Sequence, residues 1–370
     1  MLRAYKYKLI PNQEQKETLS KYFGCVRFIY NWGLEKKIKS HKECGKPIGR
    51  FQLGRELTLL KHQKEFEWLK ECPNVSLQYS LINLEIAFSN FFKKNAKYPK
   101  FKSKTHSRDS VKFISNVHFD FREWTVKLPK IGKINLCKDR TFNQAKCKQG
   151  TCTVTRDSCG TYWCVVTVDD LQEMPQKAEI RKDSSVGIDL GIKDYAILSD
   201  GRKFSNPKHL GNTKKRLEHL QKVFARKENG SKNYEKMRIK VAKCHRKIAN
   251  KRIDSLHNLS SYLVNNYKTI CLEDLNVKGM MQNHHLARAI QDASWGEFTR
   301  QLKYKSDWNG DNIIYIGRFE PSSKTCSVCG YKKEDLKLSD RSWVCPQCGT
   351  KHDRDVNAAI NIKEMAFKKN

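Results

Sequence analysis

The sequence predicts a multidomain α+β chain: a helical segment and a small antiparallel β-barrel, then an α/β layer with a metal-binding ribbon inserted in it. Three observations predict it. Apolar residues recur at helical spacing through most of residues 12–95, and the period falls to two over about 109–180. Beyond residue 181, short apolar strands that end in acids alternate with helices, and two CxxC pairs precede the last helix.

The 370 residues are enough for two or three domains with cores of their own. Their 72 Lys and Arg against 39 Asp and Glu leave a formal charge of +33, spread along the chain. A polyanionic partner is expected, and nucleic acid fits best, because each phosphate neutralised releases condensed counterions. No apolar run approaches the ~20 residues of a spanning helix, and no basic amphipathic helix stands apart as an anchor. The opening MLRAYKYKLIPNQEQ lacks the apolar region and small-residue cleavage site of a secretory signal. A cytoplasmic, nucleoid-associated protein with no membrane partner is expected. In that reducing setting the 14 cysteines are thiols or metal ligands rather than disulfides. Cys25, Cys72, Cys164 and Cys271, among apolar neighbours, read as core fillers.

Residues 1–10 alternate as a short strand that stops at Pro11. Residues 11–108 form the helical domain, clearest in SLQYSLINLEIAFSNFF, where Leu77, Leu81, Leu84, Phe88 and Phe91 make one stripe. The polar flank of that helix carries Gln78, Asn83 and Asn90, which either read base edges or face solvent. The stretch 93–104 holds Lys93, Lys94, Lys97, Lys100, Lys102 and Lys104 with Tyr98 and Phe101 and no acid. It is either a loop that follows a nucleic-acid backbone or a solvated linker. Residues 109–180, with FDFREWTVKLPKIGKINL and TCTVTRDSCGTYWCVVTV, read as the antiparallel barrel.

In the α/β domain, residues 181–320, SSVGIDLGIKDYAILSDGRKF predicts a strand holding Asp189, a second strand through Tyr195 to Leu198, and a Ser-Asp-Gly turn into a third. Residues 214–252 follow with fifteen Lys or Arg against three Glu at helical apolar spacing. So lopsided a helical pair would repel itself without an anionic partner, which favours phosphate contact over a merely solvated face. In KTICLEDLNVKGM, the strand Ile270, Cys271 and Leu272 ends in Glu273 and Asp274. In KHDRDVNAAINI, which runs from residue 351 into the segment 353–370, Asp355 projects from the first turn of a helix that Asp353 could cap.

A carboxylate beside Val186, Ile188 and Leu190 is costly unless it is paired or binds a metal. Three acids on adjoining elements, in the order β-meander, helix, strand, helix, outline an RNase H-like sheet with one metal site. Hard carboxylate oxygens suit two Mg²⁺ ions in phosphodiester hydrolysis, with Asp189 bridging and Glu273 and Asp355 each holding one side. No Ser, His or Cys nucleophile is then needed. Over 321–352, Cys326, Cys329, Cys345 and Cys348 fall as C-x2-C-x15-C-x2-C, the spacing of a closed tetrahedral, structural Zn²⁺ site. His352 reads as a surface residue, with ligand replacement or phosphate contact as the alternatives.

These residues resemble the TnpB family of insertion sequences, ancestral to the type V CRISPR effectors. The resemblance rests on RAYKYKLIPNQEQ, FGCVRFIYNWGL, NFFKKNAKYPKFKSK, GIDLGIKDYAILSDGRKF, LEDLNVKGM, SSKTCSVCG and CPQCGTKHDRDVNAAINI, in the family's order. It implies a RuvC-type catalytic triad at Asp189, Glu273 and Asp355, a zinc ribbon on the four cysteines, and wedge and recognition regions over residues 1 to about 180. It also implies Mg²⁺, with Mn²⁺ able to replace it, and a monomer in a ribonucleoprotein with a guide RNA from its own element. That ribonucleoprotein would cut double-stranded DNA beside a short transposon-adjacent motif. Nuclease-dead relatives lose triad acids, whereas all three are present here.

Two other readings remain open. A DDE-type transposase also uses three acids, but in the order Asp, Asp, Glu, whereas this chain has Asp, Glu, Asp. A guide-RNA-dependent or zinc-ribbon DNA-binding repressor would need the charge and the zinc but not the acids. Strand-transfer and cleavage assays separate the three.

Overall fold

The computed structural model describes residues 1–318, 320–337 and 340–368, with Asn212 described by its backbone alone. It divides into two compact units, Met1–Gln172 and Glu173–Asn370.

The first unit begins with strand β1 (Leu2–Ile10), helices α1 (Gln13–Cys44) and α2 (Arg50–Leu60), a 3-10 stretch over Lys64–Glu71, and α3 (Asn74–Phe92). Pro11 stops the strand, and Asn12 then opens α1 with a capping box shared with Gln15. Six strands follow: β2 (Asp109–Phe113), β3 (His118–Asp120), β4 (Thr125–Leu128), β5 (Gly132–Leu136), β6 (Lys148–Arg156) and β7 (Tyr162–Asp169). All seven strands form one antiparallel sheet in the order β2-β6-β7-β1-β5-β4-β3, so the opening strand lies inside the sheet. Tyr7, Leu9, Ile134, Val154 and Val166 share one core with Leu19, Phe23 and Leu77 from the helices.

The expected closed barrel is an open sheet among the described residues. Its edges are β2 and β3, and no ladder joins them. Period-two alternation specifies which face is buried, not whether two edges meet, and the three-residue β3 offers little ladder to close on. Cys25, Cys72, Cys164 and Cys271 are buried free thiols, as core packing requires.

The second unit starts with the meander β8 (Ser185–Leu190), β9 (Asp194–Leu198) and β10 (Lys203–Ser205), followed by helices α4 (His209–Ala225) and α5 (Lys232–Asn266). Next come β11 (Thr269–Glu273), α6 (Val277–Met280), α7 (His284–Ala293), α8 (Trp295–Asn309) and β12 (Asn312–Ile316). The hairpin β13 (Ser342–Val344) and β14 (Lys351–Asp353) leads into the last helix, α9 (Arg354–Lys368). The sheet order is β10-β9-β8-β11-β12, antiparallel through the meander and parallel from β8 to β12. The parallel pairs need crossovers, which the helices between them supply.

Both faces of this sheet are covered. Val186, Ile188, Ile270 and Leu272 pack with Leu263 of α5 and Phe298 of α8. Cys271 and Ile316 pack with Ile362 and Ala366 of α9 on another cluster. At the crossing of α9 and β8, a Cβ at Gly187 would collide with the Ala359 carbonyl and with Lys363. Only glycine lets the helix backbone approach this closely. No described helix is long and apolar enough to cross a membrane.

Candidate functional site

The parallel register between β8 and β11 pairs Ile188 with Leu272. Asp189 and Glu273 are the next residues of two neighbouring strands, whose backbones run about 4.8 Å apart. α9 crosses β8 at Gly187 and Ala359; Asp355 lies one helical turn before Ala359, and Asp189 two residues after Gly187. Three elements distant in sequence therefore deliver three carboxylates to one end of the sheet.

Electrostatics reports the same convergence. Asp189 is partly buried at its strand's end. Its carboxyl is pushed up from 3.8 to about 7, first by burial and then by the negative charges of Glu273 and Asp355, against a smaller opposing effect of Arg354 and Arg341. Glu273 Oε1 accepts a hydrogen bond of 2.6 Å from Ser322 Oγ. Asp355 is held between Arg354 at 2.8 Å and Arg341 at 3.2 Å. Asp274 takes no part in this cluster: it is exposed and paired with Arg318 at 2.7 Å. Asp353 caps α9, its Oδ1 accepting the N–H groups of Asp355 and Val356, both at 3.1 Å.

The four cysteines meet more tightly. Sulphurs of Cys326, Cys329, Cys345 and Cys348 all lie within 4.8 Å of one another, the only group of potential metal ligands this close among the described residues. That donor set fits a closed tetrahedral zinc site. The expectation of a surface His352 is corrected. It pairs across β13 and β14 with Trp343, whose ring centroid lies 4.7 Å away, and its Nε2 is 3.0 Å from Cys326 Sγ. Strand alternation puts this pair on the buried face, where His352 is 7% exposed.

Sequence reading missed the residues that fasten the ribbon to the acids. Asn357 and Asn361 lie one turn apart on α9 and are buried. Asn357 donates to Thr325 O at 2.7 Å and accepts from Ser327 N at 2.9 Å. Asn361 donates to Ser322 O at 2.7 Å and to Thr325 O at 2.6 Å. Two amides at i and i+4 inside an apolar stripe were the available signal, since a buried amide needs partners.

In the first unit, Gln78, Lys93, Lys94, Lys97, Lys100, Phe101 and Lys104 are exposed, as a nucleic-acid surface requires. Tyr98 is exposed as well, with its ring edge-on to Phe88 at 5.6 Å and Phe91 at 5.2 Å. Lys102 departs from the expected open basic loop. Its ammonium stands 3.7 Å from the Tyr30 ring centroid, and its backbone exchanges hydrogen bonds with the Asn31 side chain. Burial, with Arg27 adding to it, holds Lys102 below the usual lysine range.

A family model described as "Probable transposase", OrfB of IS605, matches residues 165–284. Models for a Cas12f1-like TNB domain and a helix-turn-helix domain match residues 295–362 and 1–46. A Streptomyces pristinaespiralis protein provisionally named an RNA-guided DNA endonuclease is 39% identical, over 97% of this chain and 88% of its own length. Escherichia coli InsQ, named in the same provisional way, is 31% identical over 98% of this chain and 91% of that protein. Among solved structures, a Cas12f1 chain from a complex with single guide RNA and target DNA matches with a TM-score of 0.58 at 15% identity. That match covers 96% of this chain and 83% of the other.

Proposed function

The chain belongs to the TnpB family of insertion-sequence proteins, and from that premise we propose that it is an RNA-guided DNA endonuclease whose RuvC-type centre is Asp189, Glu273 and Asp355. The observation that carries the assignment of the centre is that β8, β11 and α9 bring Asp189, Glu273 and Asp355 to one end of the sheet, where burial first, and the charges of Glu273 and Asp355 after it, push the Asp189 carboxyl up. Glu273 is oriented by the hydrogen bond it accepts from Ser322, and Asp355 is steered by Arg354 and Arg341. Divalent cations bound here, Mg²⁺ or Mn²⁺, supply the Lewis acidity that activates water and stabilises the leaving oxygen of a phosphodiester. The ribbon cysteines hold a structural Zn²⁺ that orders the segment carrying Ser322 and Arg341 next to the acids.

In this reading β1 with residues 109–180 is the wedge, 11–108 the recognition domain, 181–320 with 353–370 the RuvC domain, and 321–352 its ribbon. The partners are a guide RNA derived from the protein's own element and double-stranded target DNA, bound by a monomer. Base pairing with the guide reads the target, and the protein reads a short adjacent duplex motif.

The test is to purify the protein with its native RNA, sequence that RNA, and challenge a plasmid library with randomised flanks in Mg²⁺ and in EDTA. Depletion in Mg²⁺ alone identifies the reaction and the motif. Asp189→Ala should keep RNA-guided DNA binding and lose cutting; cutting by that variant would reject the centre.

A further inference from the structure

Helices α4 and α5 form an arm that reaches past the core of the second unit. The first α5 residue in the core of the sheet is Leu256, followed there by Leu259, Leu263 and Val264. Residues 232–255 precede it, about 36 Å of helix, and Ile248 is the one buried residue among them. α4 lies back along this stretch. His209 meets Ser255 at 2.8 Å at one end, and the rings of Phe224 and Tyr234 meet at 4.6 Å at the other. Only Tyr267 and Lys268 join α5 to β11. A helix that packs on the strand it enters through so short a turn runs antiparallel to it, so the arm projects from the end of β11 that carries Glu273.

One side of α5 carries Lys232, Lys236, Lys240, Lys243, Lys247 and Lys251, all exposed. Their spacings of four, four, three, four and four residues keep them within about 100° of helix surface, in a single file about 29 Å long. No acid interrupts the file, and Asp254 ends it where the helix reaches the core. None of the six is paired with an acid among the described residues, whereas arginines of the same helix are engaged: Arg238 with Glu235 at 2.7 Å and Arg252 with Asp292 at 2.6 Å. A solvated helix face usually interleaves its charges, because like charges at i and i+3 or i+4 destabilise the helix. Every neighbouring pair in this file is like-charged, and a line of anions lying along it removes that repulsion.

The chemistry of the file narrows the partner. No aromatic side chain stands in it, so an unstacked base would find no platform there. A membrane surface would ask for apolar side chains beside the lysines, but the other exposed residues within the arc, Asn233 and Asn250, are amides. A base-paired helix, with its bases turned inward and its phosphates outward, needs only the charge.

We propose that the lysine file of α5 is a rail for the sugar-phosphate backbone of a base-paired nucleic-acid helix, gripping phosphates of one strand. The proposal rests on the endonuclease reading for the presence of that helix. The helix is either a paired segment of the guide RNA or the hybrid of guide and target strand.

The test combines Lys236→Gln, Lys240→Gln and Lys243→Gln in the full chain, which removes three charges and keeps helix propensity. Melting temperature of the free protein should stay level or rise, since like charges are removed from neighbouring turns. The slope of log affinity against log salt should become shallower by about two to three, and affinity near 0.1 M salt should fall at least about tenfold. That loss for guide RNA alone names a paired segment of the guide; confined to target DNA binding by the assembled ribonucleoprotein, it names the hybrid. The same change at Lys215, Lys222 and Lys227, exposed residues of α4 and the turn after it, should cost less than about threefold. Equal losses from the two variants would reduce the file to part of a diffuse field and overturn the rail. In a second measurement, hydroxyl-radical footprinting of the labelled strand should show protection lost over at most about nine consecutive nucleotides, the length of duplex that 29 Å spans. Affinity and slope unchanged in both arms, or protection lost at scattered positions, would overturn the rail while wild-type RNA-guided cutting persists. A wild-type protein that binds no guide RNA would overturn the endonuclease reading and the rail together.

Discussion

Ser322 Oγ donates to Glu273 Oε1 at 2.6 Å, while the Ser322 carbonyl accepts from Asn361 Nδ2 at 2.7 Å. One residue at the base of the ribbon thus links Glu273, at the end of β11, to Asn361 of α9, the helix that carries Asp355. Losing a hydrogen bond that orients a metal-ligating carboxylate typically costs about 10- to 100-fold in activity or metal affinity. Ser322→Ala should lower the single-turnover cleavage rate by that amount and raise the Mg²⁺ concentration for half-maximal rate, with target DNA affinity unchanged. Equal losses in cleavage and DNA affinity would show that Ser322 acts on the fold rather than on Glu273.

Asp189 carries a pH signature in the absence of divalent metal. Its folded carboxyl titrates near 7 against an ordinary value of 3.8. Between those values the folded state holds a proton that the unfolded state has released, so stability falls as pH rises from about 4 to 7 and is level above that. The displacement of about three pKa units corresponds to on the order of 4 kcal/mol at most. In EDTA, Asp189→Asn should match wild type at pH 4 and melt higher at pH 8. Mg²⁺ should narrow the gap by stabilising wild type alone. Parallel melting curves across the whole pH range would contradict the burial of Asp189 beside Glu273 and Asp355.

Gly187 sets how closely α9 sits on β8, and with it the reach of Asp355 toward Asp189. A methyl group there meets helix backbone rather than a movable side chain. Gly187→Ala should therefore destabilise the protein by on the order of 3 kcal/mol and reduce cleavage even where the protein remains folded. Gly296→Ala, in α8 with open space around the added methyl, should leave the melting temperature level or raise it slightly. Thermal melting of both variants provides the comparison.

The acids were legible because burial makes a charge conspicuous: Asp189 interrupts Val186, Ile188 and Leu190, and such a break has few physical explanations. The ribbon was legible from thiol spacing alone. Partners across long sequence separations were not. Nothing local marks Ser322 as the neighbour of Glu273, 49 residues away, and Arg341 joins Asp355 through a hairpin whose register is set by packing. Lys102 looked like its lysine-rich neighbours because composition does not reveal burial, yet its Nζ lies over Tyr30. Closure of the first sheet was illegible for a related reason, since edge-to-edge pairing depends on curvature summed over seven strands.

His352 lies close enough to Cys326, with Nε2 3.0 Å from its sulphur, that it competes with the cysteines for the role of zinc ligand. Four sulphurs within 4.8 Å of one another already complete a tetrahedral set, so His352 should act by hydrogen bonding to a ligand sulphur and by packing on Trp343. Removing a ligand opens a structural site, whereas removing a neighbour only weakens it. Metal analysis of purified protein should therefore find one zinc per chain in wild type and in His352→Ala, and a large loss in Cys345→Ser. Because the ribbon is too small to hold its shape without the metal, Cys345→Ser should also release Ser322 and Arg341 from the acids. Its cleavage should fall at least as far as that of Ser322→Ala. Zinc lost from His352→Ala but retained in Cys345→Ser would make His352 the ligand in place of Cys345.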